Sequence, residues 1–248
     1  MKIGKSPGFD NITTEHVVHS HPVIFSLLAK LFNSMLLSSY VPQDFGRGIT
    51  IPIPKNEKEQ GPQAIDTFRG ISLSPMISKL FEHCLLILFS KFFITSYNQL
   101  EFKSKSGCQH AIYTVRKVVE HYINNSSSVN VCCLDISKGF DKVKHSVLFL
   151  KLMKRGAPAV LINLLCYWYS ISYNCVRWEN ILSKPYRLLA GIRQGGVLSP
   201  VLFSVYVNDL INKFSKFLCY FTGIPVSAIM YADDLIQLSL SIVSCKIR

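Results

Sequence analysis

The sequence predicts an α+β fold. Three observations carry this. Segments with apolar residues at helical spacing share the chain with β-branched, alternating segments of strand length. Carboxylates stand at the ends of apolar strands: Asp135 closes "VNVCCLD", and Asp233 and Asp234 divide the oily runs of "IMYADDLIQL". Finally, 248 residues that are 49% apolar suffice for one or two domains with a real core.

In chain order, "SPGFDNITTEHV" is a loop entering a helix capped near Thr13 or Thr14. "PVIFSLLAKLFNSMLLSSY" has helical spacing behind Pro22, and the Ile-rich alternation of "RGITIPIPK" predicts a strand. "NEKEQGPQAIDT" is a polar loop. "SPMISKLFEHCLLILFSKFF", with Pro75 near its start, and "GCQHAIYTVRKVVEHYI" predict two helices, and "NNSSS" then breaks the chain. "VNVCCLDI" is expected to be a buried strand. Residues 144–155 and 158–170 predict helices parted by the Gly156–Pro158 break. "YNCVRW" and "PYRLLA" can pair as a hairpin, "GIRQGG" is a glycine-rich turn, and "SPVLFSVYVNDLINKF" is a helix with Ser199 as cap. The last strands flank Asp233 and Asp234.

Lys and Arg outnumber Asp and Glu by 27 to 15, a net charge of +12. That excess suggests a polyanionic partner, nucleic acid first and an anionic membrane surface second. No apolar run reaches the ~18–20 residues that span a bilayer. The oiliest stretch, "HCLLILFSKFFITSY", is broken by Lys91, and "MKIGKSPGFDN" has no apolar leader core. The expectation is an intracellular protein, in cytoplasm and/or nucleus, with no membrane partner. The 8 cysteines then read as reduced thiols. No C-x-x-C pair occurs, so no zinc site is expected, and the adjacent Cys132 and Cys133 read as core.

An ionised carboxylate costs several kcal/mol to bury unless it is paired or bound to a cation. Neighbouring carboxylates also repel. Asp233 and Asp234 therefore either point into water or hold a metal. Asp135 lies 98 positions upstream at another strand end. Were the two strands sheet neighbours, their aspartates would meet across the ladder and could hold two divalent cations. Mg²⁺ takes oxygen ligands and commonly combines one or two carboxylates with substrate phosphates. Two such ions ~3.5–4 Å apart activate an attacking hydroxyl and stabilise a leaving pyrophosphate, the requirement of nucleotidyl transfer.

Between the aspartates lies "GIRQGGVLSPVLFSVYVNDL", and upstream lies "FRGISLSPMISKLFE". In this order the segments resemble the successive motifs of reverse transcriptases, particularly those of non-LTR (LINE-like) retrotransposons. "LDISKGFDKV" is similar to the first palm motif, "RQGGVLSPVLFSVYVNDL" to the Q-G turn and its helix, and "YADD" to the catalytic turn. "SPGFDNITTEH" resembles the P-G-x-D-G segment of the non-LTR branch.

The resemblance implies a right-hand polymerase with fingers and palm, an antiparallel palm sheet flanked by helices, and no thumb. Residues 1–128 would be mostly fingers and 129–248 mostly palm, a partial domain cut after the YADD motif with no endonuclease domain. Asp135 and Asp233 would be the principal ligands of two Mg²⁺ ions (Mn²⁺ as substitute), with Asp234 more peripheral and Ile136 lending its backbone carbonyl. Phe140 would lie beneath the incoming sugar and exclude a 2′-hydroxyl. Gln194 and Gly195 would sit against nucleotide and template, and Arg69, with Lys55, would contact the triphosphate. Tyr231 would pack near the primer end. Lys79, Lys138 and Arg193 would be solvated or would touch nucleic-acid backbone. The implied partners are an RNA template, a DNA primer and dNTPs.

Three features depart from the family pattern. Gly139 stands where alanine is usual. Phe9 and Asn11 replace Pro and Gly, although Asn still supports a left-handed turn. "SLSIVSCKIR" does not follow the expected continuation. Two other readings are a catalytically inert retrotransposon remnant that only binds nucleic acid, and an RNA-templated RNA polymerase, against which the bulk of Phe140 argues.

Overall fold

Helices and strands follow one another in irregular order. The computed structural model describes residues 3–55, 64–103, 106–214 and 219–240. Most of the polar loop at 56–67 and the final segment 241–248 thus lie outside the described residues. The elements are α1 (Thr14–Val18), α2 (Val23–Ser38), β1 (Arg47–Pro54), β2 (Phe68–Leu73), α3 (Met76–Leu88), α4 (Cys108–Asn124), β3 (Asn130–Asp135), α5 (His145–Lys154), α6 (Ala159–Ser170), β4 (Tyr173–Trp178), β5 (Ile181–Leu182), β6 (Tyr186–Arg187), α7 (Ser199–Phe214), β7 (Tyr220–Phe221), β8 (Ile224–Pro225), β9 (Ala228–Tyr231) and β10 (Asp234–Ser239). Pro22 and Pro75 stand just before α2 and α3, where a missing N–H costs nothing. Gly156, at φ +74°, ends the turn after α5, and Pro158 precedes α6. No helix among the described residues is long and apolar enough to cross a membrane.

The chain divides into two compact units, each discontinuous in sequence: Met1–Phe93 with Phe140–Pro200, and Ile94–Gly139 with Val201–Arg248. In the first, the sheet runs β2-β1-β4-β5, with β6 also paired to β4. β1 and β2 are antiparallel, and β4 and β6 form the expected hairpin. The parallel pairing of β1 with β4, from Arg47 opposite Tyr173 to Thr50 opposite Val176, was not legible in the sequence. Aromatic rings fill the core beside this sheet: Phe81 lies 4.9 Å from Phe32 and 5.7 Å from Trp168. Such pairs add about 0.5–1.5 kcal/mol each beyond their buried area. The Trp168 indole N–H donates to the Phe45 carbonyl at 3.0 Å, so its one polar atom is satisfied.

In the second unit an antiparallel sheet runs β3-β10-β9. Ala111 and Val118 of α4 pack with Ile229, Leu238, Cys219 and Val226. One expectation fails here. β3 is not buried: its residues alternate between part-buried and exposed, with Val131 48% exposed. Cys133 is exposed and Cys132 only part-buried, so neither is a core residue. The cause is position. Among the described strands β3 is the edge of its sheet, and α4 packs on β9 at the other edge.

Candidate active site

The second unit gathers the three predicted aspartates, Asp135, Asp233 and Asp234. β9 and β10 form a hairpin in which Tyr231 faces Asp234, leaving Ala232 and Asp233 as the turn. Ala232 takes φ +52°, a left-handed conformation that lets two residues reverse the chain. On its other side β10 pairs with β3, and Asp234 falls directly opposite Asp135. Ile136 donates its N–H to the Asp233 carbonyl at 2.9 Å, tying the turn to the end of β3. The residue in register with Asp135 is thus Asp234, while Asp233 stands in the turn. Asp135 and Asp234 are exposed and Asp233 is part-buried. The Ser137 hydroxyl lies 3.4 Å from Asp135 Oδ2 as donor. The Ile136 carbonyl accepts from Gly139 N–H at 3.1 Å and keeps a second lone pair.

Gly139 itself fits a tight space. A Cβ there would stand 3.0 Å from Cζ of the buried Phe203 on α7. The departure from alanine therefore makes room for a ring.

Among the described residues, no three His, Cys, Asp or Glu side chains converge into a metal cage of their own. The donor set is all oxygen and carries opposed carboxylates. It suits a hard divalent cation that completes its shell with water and substrate phosphates.

Sequence reasoning missed one acid. Leu100 donates to the Met230 carbonyl at 2.9 Å, and Gln99 bridges to Met230, so the 98–100 segment runs beside β9. Glu101 follows at the same end of the hairpin. Burial, then the charges of Asp233 and Asp234, push its carboxyl up to about 7. Its Oε2 is buried without a hydrogen-bond partner. The only sequence signal was a lone acid ahead of the basic "FKSK".

The first unit holds the remaining sequence-predicted residues. Arg69 on β2 is exposed and stands opposite Ile53. Lys55, also exposed, donates its N–H to the Thr67 carbonyl at 2.8 Å, closing the same hairpin. The Gln194 carbonyl accepts from Ser72 N–H at 2.6 Å, so the 191–196 turn docks on β2, the edge of its sheet. Gly195 is obligatory there: φ is +109°, and a Cβ would stand 2.6 Å from the Ser72 carbonyl oxygen. Phe140 is part-buried, and its carbonyl accepts from Ile192 N–H at 2.9 Å, fixing it to the same turn. Arg69, Lys55, Phe140, Gln194 and Gly195 therefore share one unit, and the acids with Ile136 share the other.

Arg193 is not a solvated residue. Its part-buried guanidinium donates to the Phe45 carbonyl at 3.3 Å and to the Gly46 carbonyl. Glu82, buried on α3, accepts from Leu198 N–H at 2.6 Å through Oε2. Glu82, Arg193 and Tyr169 line one cavity of about 30 Å³, the size of a water. Burial raises the Glu82 carboxyl and the Tyr169 phenol and lowers the Arg193 guanidinium, while Glu82 and Arg193 each partly offset that cost for the other. Lys79 is half-buried, Lys138 exposed, and Tyr231 packs against the α4 core cluster.

The family described as "Reverse transcriptase (RNA-dependent DNA polymerase)" matches residues 53–246. The match includes every candidate site residue, from Lys55 to Asp234, and most of the final segment expected to break the pattern. The chain is 30% identical over 215 residues to a probable RNA-directed DNA polymerase from transposon X-element of Drosophila melanogaster, covering 83% of the chain and 23% of that protein. It is 26% identical over 248 residues to the RNA-directed DNA polymerase from mobile element jockey of Drosophila funebris, covering 97% of the chain and 26% of that protein. The chain thus spans about a quarter of the length of these relatives. Among solved structures, apo telomerase from Candida tropicalis truncated from its C-terminal domain is similar in fold, with TM-score 0.52 at 14% identity over 90% of this chain and 50% of that one.

Proposed function

The chain belongs to the reverse transcriptase (RNA-dependent DNA polymerase) family, and from that premise we propose that it transfers deoxynucleotides to a primer 3′-hydroxyl on an RNA template, releasing pyrophosphate. Similar proteins are named RNA-directed DNA polymerases, from transposon X-element and from mobile element jockey. The observation that carries the reading is the register match of Asp135 with Asp234, one residue from Asp233.

Reverse transcriptases generally use divalent metal ions. Asp135, Asp233, Asp234 and the Ile136 carbonyl would hold two Mg²⁺ ions, or Mn²⁺, which supply positive charge at the attacking and leaving oxygens. The unit that bears these acids is read as mostly palm and the N-terminal part of the chain as mostly fingers. Arg69 presents a planar guanidinium suited to paired phosphate oxygens, with Lys55 as a second cation. Phe140 acts as a wall that admits deoxyribose and clashes with a 2′-hydroxyl. Gln194 and Gly195 offer a turn that a nucleotide and template can approach closely, because one position lacks a side chain. The net charge of +12 holds the RNA template and heteroduplex through phosphates and A-form shape.

The test is extension of a DNA primer on an RNA template with Mg²⁺ and dNTPs, beside Asp233→Asn. Extension by the parent and none by the mutant, with RNA binding unchanged or slightly tighter, is expected. Equal use of NTPs and dNTPs would remove Phe140 from its role. Extension by neither protein, with RNA still bound, would overturn the catalytic reading in favour of a nucleic-acid-binding remnant.

A further inference from the structure

The "SPGFDN" segment has no role in the scheme above. It lies across the start of α3. Gly8 is buried against the Ser74–Pro75 backbone, where a Cβ would stand 2.8 Å from Pro75 N. Asp10 accepts from Met76 N–H through Oδ2 and from Ile12 N–H through Oδ1, each at 3.3 Å, and Asn11 turns the chain at φ +52°. Under this arch is a cavity of about 140 Å³, lined among others by Lys5, Thr13, Ser74, Lys79 and His83. That volume holds several waters or one small polyatomic ion.

No carboxylate stands among the residues that line it. Ser74 is only 1% exposed, and its hydroxyl has no hydrogen-bond partner. Buried hydroxyls are rarely left so without a ligand or water. Lys79 is half-buried, and among the described residues its ammonium makes no hydrogen bond or ion pair. Burial lowers its pKa, against the weaker pull of Glu82 and Asp10. Burial likewise lowers that of His83. Both acids are committed elsewhere, Asp10 to Met76 and Glu82 to Leu198. The first turn of the 13-residue α3 adds its positive dipole end.

Donors around a recess, with the nearby acids engaged, select an oxyanion. We propose that this cavity binds a phosphate group, with Lys79, Ser74 and His83 as its ligands and Lys5 at the rim. The group is either a free phosphate or the phosphate of a nucleic-acid backbone, since the recognising chemistry is the same. This site stands apart from the polymerase reading and does not depend on it.

The test titrates the full chain with inorganic phosphate and with pyrophosphate, by calorimetry and ³¹P NMR. Saturable binding is expected, weakened about tenfold by Lys79→Met and by Ser74→Ala. Ser74→Ala removes a single oxygen, so it keeps the test sound should Lys79→Met perturb folding. Asp233→Asn should bind phosphate as the parent does, which separates this site from the carboxylates. Displacement of phosphate by a short RNA assigns the backbone as the source, and retention of phosphate assigns the free anion. No saturable binding, or unchanged affinity in both cavity variants, overturns the proposal.

Discussion

Asp135 and Asp234 face each other as directly opposed residues of the β3–β10 ladder. Like charges so placed destabilise a sheet by about 0.2–1 kcal/mol, and a bound cation reverses the sign. Asp135→Asn and Asp234→Asn should each raise the thermal midpoint in EDTA, because each removes one charge of the pair. Each should also blunt the rise that Mg²⁺ produces in the parent. Scanning fluorimetry with and without Mg²⁺ measures both; a lower midpoint for the variants in EDTA would mean that the pair does not repel.

Glu101 gives the fold a pH dependence of defined sign. Its carboxyl titrates at about 7 in the folded chain, against an ordinary value of 4.5. A raised carboxyl pKa means that the folded state holds its proton more tightly. The stability this group contributes is fully present below about pH 4.5 and is lost as pH rises through about 7. Glu101→Gln should therefore match the parent in acid and exceed it at pH 8, by about 1–2 kcal/mol once solvent screening of a part-buried group is allowed for. Urea unfolding across pH 4–8 reads the difference, and parallel curves would exclude Glu101 as its source.

The Glu82–Arg193 pair should behave as a coupled unit. Glu82→Ala strands the Leu198 N–H and leaves Arg193 without its countercharge, a loss of about 3–5 kcal/mol. Glu82→Gln keeps an oxygen for Leu198 and should cost less. Combined with Arg193→Met, its penalty should fall short of the sum of the single variants by about 0.5–3 kcal/mol. Additive urea midpoints would show that the two groups do not sense each other.

Gly139→Ala would restore the residue usual in the family but should destabilise this chain. The new methyl meets Phe203 at 3.0 Å, and overpacking of this kind costs about 1–3 kcal/mol. Phe203→Leu should lose stability alone and recover part of it in the double variant. Failure of that recovery would mean that the ring does not set the preference for glycine.

What could be read in the sequence had one clear local period. α4 and β1 announce themselves, and apolar runs that stop at a charge mark two aspartate-ended strands, whereas it is the structure that makes them sheet neighbours. The pairing of β1 with β4 left no local mark, because it joins segments more than a hundred residues apart. β3 misled because "VNVCCLD" is apolar on both faces, the signature of two-sided burial, yet among the described strands β10 alone pairs with it. The register placed Asp234 rather than Asp233 opposite Asp135 because a two-residue turn consumes Asp233. Arg193 misled because a charged side chain in a glycine-rich turn reads as solvated. Its burial depends on carbonyls near residue 46, far away in sequence. Glu101 acquires its character only from the hairpin it lies beside.

The interleaving of the two units sets a timetable for synthesis. β3 leaves the ribosome roughly a hundred residues before β10, its neighbour in the sheet, and β1 waits still longer for β4. At about 5–20 residues per second, the nascent chain carries unsealed strand edges for roughly 5–20 seconds. Local helices such as α4 form long before that interval closes, whereas the non-local ladders cannot. Until those partners emerge, the unpaired edges of β1 and β3 are templates for wrong pairing, a hazard set by the order of the chain and not by the stability of the finished fold.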